Sequence, residues 1–354
     1  MQFGKLLNLF GGRKIFLAYF LFLTCFAVSG KAQTLQFEDL IKICEEKISA
    51  SNYPADNAKL RLAEIQKIKD AYQKGYFWLS LSQLQNTWLQ SFMSEYLTAT
   101  ASIEKSGKEA FEAEWKKIGA SLNEKEKQLN ASALKKKPLM LQAFAESFWS
   151  QMRPYYKSGY LFGIQQSSGE GLPYFGLSSA SIEFLLAAQK MNLPNTKTSV
   201  NLRSLANEIS ALEKRTLLNY RQTETNAEGV NPQQVRFNIV NSTLKNAGEL
   251  NRENRYAGAL YKYLMALLNL EIIVAEPIAE SDLPKLISDN QALKKQLEKS
   301  SKTDHSLGMF FWEMAQSNLE ANNNKPSPDE LKRIFVIIKK VMPEYFKYFT
   351  RGKK

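Results

Sequence analysis

The stretch Ser327-Pro328-Asp329-Glu330-Leu331-Lys332-Arg333-Ile334-Phe335-Val336-Ile337-Ile338-Lys339-Lys340-Val341 admits two readings, and the choice between them decides the fold class. Its β-branched run from Ile334 to Ile338 suits a strand. Against that, Ser327 is placed to cap a helix and Pro328 suits the first helical position, while Asp329 and Glu330 complement the positive end of a helix dipole. Leu331, Ile334, Phe335, Ile338 and Val341 then fall on one helical face, so the spacing predicts a helix.

The same period governs nearly every apolar pattern elsewhere. Leu62, Ile65, Ile68 and Tyr72 mark one stripe, and Phe111, Trp115, Ile118, Leu122 and Leu129 another. Leu202, Leu205, Ile209 and Leu212 form a short seam like that of a coiled coil, expected to pack against a neighbouring helix. Almost no stretch alternates over the four or more residues a half-buried strand requires. The chain is therefore expected to be all-α, built from antiparallel helical hairpins. Breaks fall near Ser51 to Pro54, Asn130 to Pro138, Ser167 to Gly171, Asn192 to Asn195, Glu228 to Pro232 and Asn322 to Pro328. Asn130 to Pro138 is the expected boundary between an N-terminal helical unit, 33–134, and a larger C-terminal unit, 135–354.

At the start of the chain, Arg13 and Lys14 precede an apolar run from Ile15 to Val28, followed by Ser29-Gly30-Lys31-Ala32-Gln33. A basic pair, a run too short to span a bilayer comfortably and small residues at Gly30 and Ala32 predict a secretory signal peptide over 1–32, cut after Ala32. The alternative is lipid attachment at Cys25, but Phe22-Leu23-Thr24-Cys25 puts threonine where such signals favour a small residue, and the cysteine lies inside the apolar run. Cleavage would remove Lys5, Arg13, Lys14 and Lys31 and no acid, reducing the formal charge from +12 to +8. The expected destination is the periplasm or the extracellular space, with no membrane-spanning segment left in the processed chain. Only Cys44 would remain, so no intrachain disulfide is expected. Its spacing with Phe37, Leu40, Ile41 and Ile48 reads as a buried small hydrophobe.

Between Tyr256 and Leu267 the chain reads Tyr-Ala-Gly-Ala-Leu-Tyr-Lys-Tyr-Leu-Met-Ala-Leu, with aromatic and small residues alternating at three- and four-residue intervals. This resembles the second helix of a tetratricopeptide repeat, with a weaker echo at Gly75-Tyr76-Phe77, Ser80, Leu84 and Thr87. The resemblance is concentrated in residues 236–270 and implies a helical-repeat array that binds a protein or peptide. Any tight pair of helices also selects alanine and tyrosine at such spacings.

Several chemistries lack their residues. His305 is the single histidine, so a zinc site of the usual histidine or cysteine kind cannot be assembled, and no metal or cofactor is expected. Thr303-Asp304-His305-Ser306 reads as a turn in which Asp304 or Ser306 caps the helix carrying Phe310 and Phe311. Gly169, Gly171 and Gly176 follow no strand and precede no Gly-Lys-Ser, so they read as a loop with Pro173 opening the next helix. Glu45 with Glu46, Glu112 with Glu114 and Glu276 with Glu280 have only the spacing of solvated helix faces.

Arg153-Pro154-Tyr155-Tyr156-Lys157-Ser158-Gly159-Tyr160 is the densest mixture of rings and cations, making Arg153, Tyr155, Tyr156 and Tyr160 the candidate binding residues. The plainer account is a helix kinked at Pro154 with half-buried tyrosines. Lys135 to Lys137 and Arg351, Lys353 and Lys354 are short basic runs. An acidic envelope polymer suits that charge, whereas nucleic acid does not suit an exported chain. The expectation is an exported, non-enzymatic helical-repeat protein acting as scaffold or adaptor for a protein or peptide partner. The alternative is a glycan-processing enzyme with a carboxylate site in an all-helical bowl.

Overall fold

The computed structural model describes residues 34–51, 55–193, 202, 206–226, 233–299 and 303–350. The expected signal peptide lies outside these residues, as do Leu205 of the seam and Arg351, Lys353 and Lys354. The described chain is all-α, with no β-strand among the described residues. Leu35 makes an isolated bridge to Met191, donating its N–H to the Lys190 carbonyl at 3.1 Å.

In chain order the helices are α1 Phe37–Ala50, α2 Ala55–Gln73, α3 Phe77–Glu126, α4 Ala131–Lys135, α5 Leu139–Gln165, α6 Ser168–Lys190, α7 Ala206–Asn226, α8 Gln233–Arg252, α9 Tyr256–Val274, α10 Leu283–Lys299 and α11 Ser306–Leu319. A left-handed turn follows, with Asn322, Asn323 and Asn324 all at positive φ, a region asparagine tolerates better than most residues. The last helix comprises α12 Pro328–Val336, a π-turn Ile337–Val341 and α13 Met342–Thr350.

α3 is two helices. Gly107 (φ 80°) interrupts it, and the chain folds back there, using backbone geometry that a side chain would strain. The two halves meet α6 in opposite senses. Before the turn, Trp88 donates its indole N–H to the Ala180 carbonyl at 2.8 Å, and Met93 lies against Gly176. After it, Phe111 stacks on Phe175 with ring centroids 5.5 Å apart, and Lys125 pairs with Glu183 at 2.5 Å. α5 is the third wall, its Phe148 stacking on Phe184 at 4.3 Å and its Met152 carbonyl accepting from Ser178 at 2.8 Å.

This packing explains why glycine stands at 163 and 171. A Cβ on Gly171 would sit 2.3 Å from the Gly159 carbonyl oxygen, and one on Gly163 would sit 1.9 Å from the Phe111 ring. The expected loop at Ser167 to Gly171 is therefore corrected: α6 begins at Ser168, five residues before Pro173, and Ser167 caps it by accepting from the Glu170 N–H. Gly171 stands here because another backbone passes close by, and Pro173, inside the helix at its sixth residue, has no N–H to donate to the Gly169 carbonyl one turn earlier.

α9, the segment resembling a repeat helix, is long and apolar enough by composition to cross a membrane, with 72% of the relevant window buried. Ala259, Tyr263 and Ala266 are completely buried, and α5, α7 and α8 pack on it; a helix apolar all round is stabilised by being surrounded. The ambiguous stretch at Ser327 is helical, with the predicted cap: Ser327 and Glu330 form a reciprocal capping box. Its β-branched run is explained by burial on two sides. Leu331, Ile334 and Ile338 join Leu286 and Leu319 in a small cluster, while Val336, Ile337 and Val341 enter the main core. Cys44 is fully buried. Leu62, expected inside, is 40% exposed beside the buried Ile65 and Ile68.

Candidate functional site

Three long helices begin at residues unable to cap them. Tyr76, Pro138 and Arg255 occupy the cap positions of α3, α5 and α9, and none supplies a side-chain cap hydrogen bond. Acidic side chains from elsewhere in the chain do so instead. Glu313 of α11 accepts from the Leu79 N–H of α3 at 2.7 Å. Asp304 accepts from the Leu139 N–H, and Ser306 Oγ from the Met140 N–H at 2.9 Å, at the start of α5. Glu146 of α5 accepts from the Gly258 N–H of α9 at 2.7 Å. The expectation that Asp304 or Ser306 caps its own helix is thus corrected in part: Asp304 does accept from the Ser306 N–H at 2.9 Å, but both side chains also close α5.

Glu146 also opens on a cavity of about 300 Å³ lined by Leu134, Lys135, Gln142, Ala145, Trp149 and Arg255, among others. Its acid is pushed up to about 7, because burial outweighs the Gly258 and Ala257 N–H groups and the charges of Arg255 and Lys135. Arg255 lies over the Trp149 ring, 5.0 Å from its centroid, held from behind by Glu253 at 2.7 Å. The cavity thus offers an aromatic wall, a guanidinium held in place and a carboxyl group that changes charge near neutrality. Glu313 is likewise pushed up to about 8 by burial, against the Leu79 and Trp78 N–H groups, but it closes a helix inside the core.

The residues singled out from sequence lie on α5 and are occupied within the fold. Arg153 donates to Asn123 at 2.6 Å and to both oxygens of Glu126, tying α5 to the end of α3. Tyr156 donates to the Trp115 carbonyl at 3.0 Å, and Tyr160 stacks on the Trp115 ring at 4.2 Å. Tyr155 turns the other way, donating to Gln151 at 3.0 Å with its ring 6.5 Å from that of Tyr174. Leu161 and Ile164 beyond them are exposed.

His305 faces Tyr345, with Nδ1 and the hydroxyl 2.9 Å apart inside the core. Among the described residues no group of three His, Cys, Asp or Glu is placed to hold a metal ion. The acidic pairs singled out by spacing include surface ion pairs, such as Glu45 with Lys69 at 2.6 Å and Glu114 with Lys117 at 3.2 Å. Glu146 and Glu313 went unnoticed in sequence, although each is a lone acid inside an apolar run: Phe144-Ala145-Glu146-Ser147-Phe148 and Phe311-Trp312-Glu313-Met314.

Comparison with known proteins finds no matching family model, no matching curated protein and no matching solved structure. The likeness of α9 to a tetratricopeptide helix accordingly remains one of local sequence pattern.

Proposed function

We propose that this chain is an exported, non-enzymatic helical protein that binds another protein or peptide in the cell envelope, as a scaffold or adaptor, and that the cavity beside Trp149 and Arg255 receives one side chain of the partner. The observation that carries this reading is the use made of the deep carboxylates. Glu146, Asp304 and Glu313 hold helix N-termini from remote positions, so the acids with unusual surroundings already have structural roles. The cavity pairs Trp with Arg, the residue types that dominate binding energy at protein interfaces, and its volume of about 300 Å³ suits one anchoring side chain. Export is supported by the pattern of Arg13, Lys14 and the apolar run to Val28.

The test is capture from envelope extract on immobilised chain, comparing wild type with Trp149→Ala and Arg255→Ala. Each variant is expected to reduce recovery of a specific protein partner about tenfold or more, as loss of an interface anchor does. Failure to retain any protein, together with release of sugar fragments from cell-wall polymer, would overturn the proposal. That outcome would favour the enzymatic alternative, for which the raised acid of Glu146 is the specific support, and Glu146→Gln would then abolish sugar release.

A further inference from the structure

A second cavity, of about 270 Å³, lies where the π-turn of the last helix faces α7 and α9. Pro343 shapes it. With no N–H, proline cannot donate to the Lys339 carbonyl one helical turn earlier, and the helix widens just before it, with the Met342 N–H reaching back to the Ile337 carbonyl. Lys339 and Lys340, on that widened turn, meet Arg215 of α7 and Lys347 of α13 around the same opening.

Four cations therefore line the cavity with two carboxylates, Glu271 and Glu344. Arg215 and Lys347 both converge on Glu344, each at 2.6 Å, and Tyr348 donates to it at 3.0 Å. Two cations thus share one acid, which fixes their positions while neutralising only one charge. Lys340 is 3.9 Å from Glu271, the outer limit of an ion pair, and Lys339 is paired at 2.6 Å with Asp289, behind the opening. Even with Asp289 included, one positive charge is left over, and it is spread over donors arriving from α7 and from the π-turn and α13 of the last helix.

We infer that this π-turn cavity is an anion site for a phosphate group. Several convergent N–H donors match the three acceptor oxygens of a terminal phosphate better than the two of a carboxylate. The volume leaves room for a small body attached to the phosphate, whether from a soluble phosphate monoester or a lipid headgroup. The site is separate from the Trp149 cavity and does not depend on the function proposed for it.

The experiment is titration calorimetry of the full chain with inorganic phosphate and with glycerol phosphate, against chloride at equal ionic strength, alongside flotation with phosphatidylglycerol or phosphatidylcholine vesicles. Saturable phosphate binding is expected, weakened about tenfold by Lys340→Gln and again by Lys347→Gln, and unchanged by Lys117→Gln on distant α3. Retention on phosphatidylglycerol vesicles that is lost in the same variants assigns a lipid source. Phosphate binding without vesicle retention assigns a soluble one. Phosphate heats no greater than those of chloride, or undiminished in a Lys340→Gln/Lys347→Gln double variant that melts like wild type, would overturn the inference.

Discussion

The Glu313 carboxylate receives the Leu79 backbone N–H at 2.7 Å across 234 residues of sequence, so the start of α3 is finished by a side chain from α11. Replacing Glu313 with alanine would leave buried N–H groups without an acceptor, at a cost of about 1–3 kcal/mol. Glutamine keeps an acceptor oxygen and should recover most of that loss. Urea unfolding of the two variants checks this, and equal destabilisation by both would remove the capping argument.

The raised acids have a definite sign in pH. Glu146 and Glu313 move from 4.5 in the unfolded chain to about 7 and about 8 in the fold, so the folded state binds more protons between those values. Their contribution is fully present below the unfolded value and is lost as pH rises through 7 and 8. The melting temperature is therefore expected to fall between about pH 5 and pH 8, with a flatter profile in the Glu146→Gln/Glu313→Gln variant (differential scanning calorimetry). Identical slopes in both proteins would contradict it.

Glu344 carries the opposite sign. Burial alone would raise its acid, but hydrogen bonds from Lys347 and Tyr348 and the Arg215 charge together hold it below its ordinary value. The stability it supplies is present at neutral pH and lost as pH falls through its lowered folded value. Glu344→Gln should lose stability at pH 7 and lose less on acidification than wild type, measured by chemical unfolding at pH 7 and pH 3.

Gly163 tests the close crossing of α5 over α3. Alanine there places a methyl group on the Phe111 ring and should destabilise by about 1–3 kcal/mol, with partial recovery when Phe111 is also shortened to leucine. A double-mutant cycle followed by circular dichroism gives the coupling, and simple additivity would mean that the two residues do not meet.

Arg153 offers a milder case. Its bonds to Glu126 and Asn123 are half-exposed, so Arg153→Ala should cost no more than about 1 kcal/mol, and less in high salt. A larger, salt-independent loss in unfolding experiments would show that the guanidinium acts by packing.

Helix positions were legible where local signals agreed, and misread at Ser167 to Gly171, where glycines masked a serine cap. Ser327, Pro328 and Glu330 announced a helix start, and the stripe from Phe111 to Leu122 announced a buried face. Relations between helices were not, because they depend on residues with no local preference for their role. Gly171 looks like a loop former until another backbone lies against it, and Tyr76, Pro138 and Arg255 look like poor helix starts until Glu313, Asp304 and Glu146 arrive from elsewhere. Arg153 and the tyrosines after it stood out as a dense cluster, but density in sequence did not indicate that Tyr156 and Tyr160 would turn toward Trp115. The Trp149 cavity needed two segments, 131–149 and 253–255, that only the fold brings together.

Synthesis runs from the N-terminus, and this gives the remote caps a temporal consequence. Glu146 has already been made when α9 emerges, whereas α3 and α5 emerge long before Asp304 and Glu313. A nascent chain stopped near residue 300 would hold two long helices with bare leading ends, vulnerable to fraying and to proteases. Completion of the C-terminal sixth is thus the event that locks the first half, and a ribosome-stalled series tested by limited digestion should show protection arriving late and together.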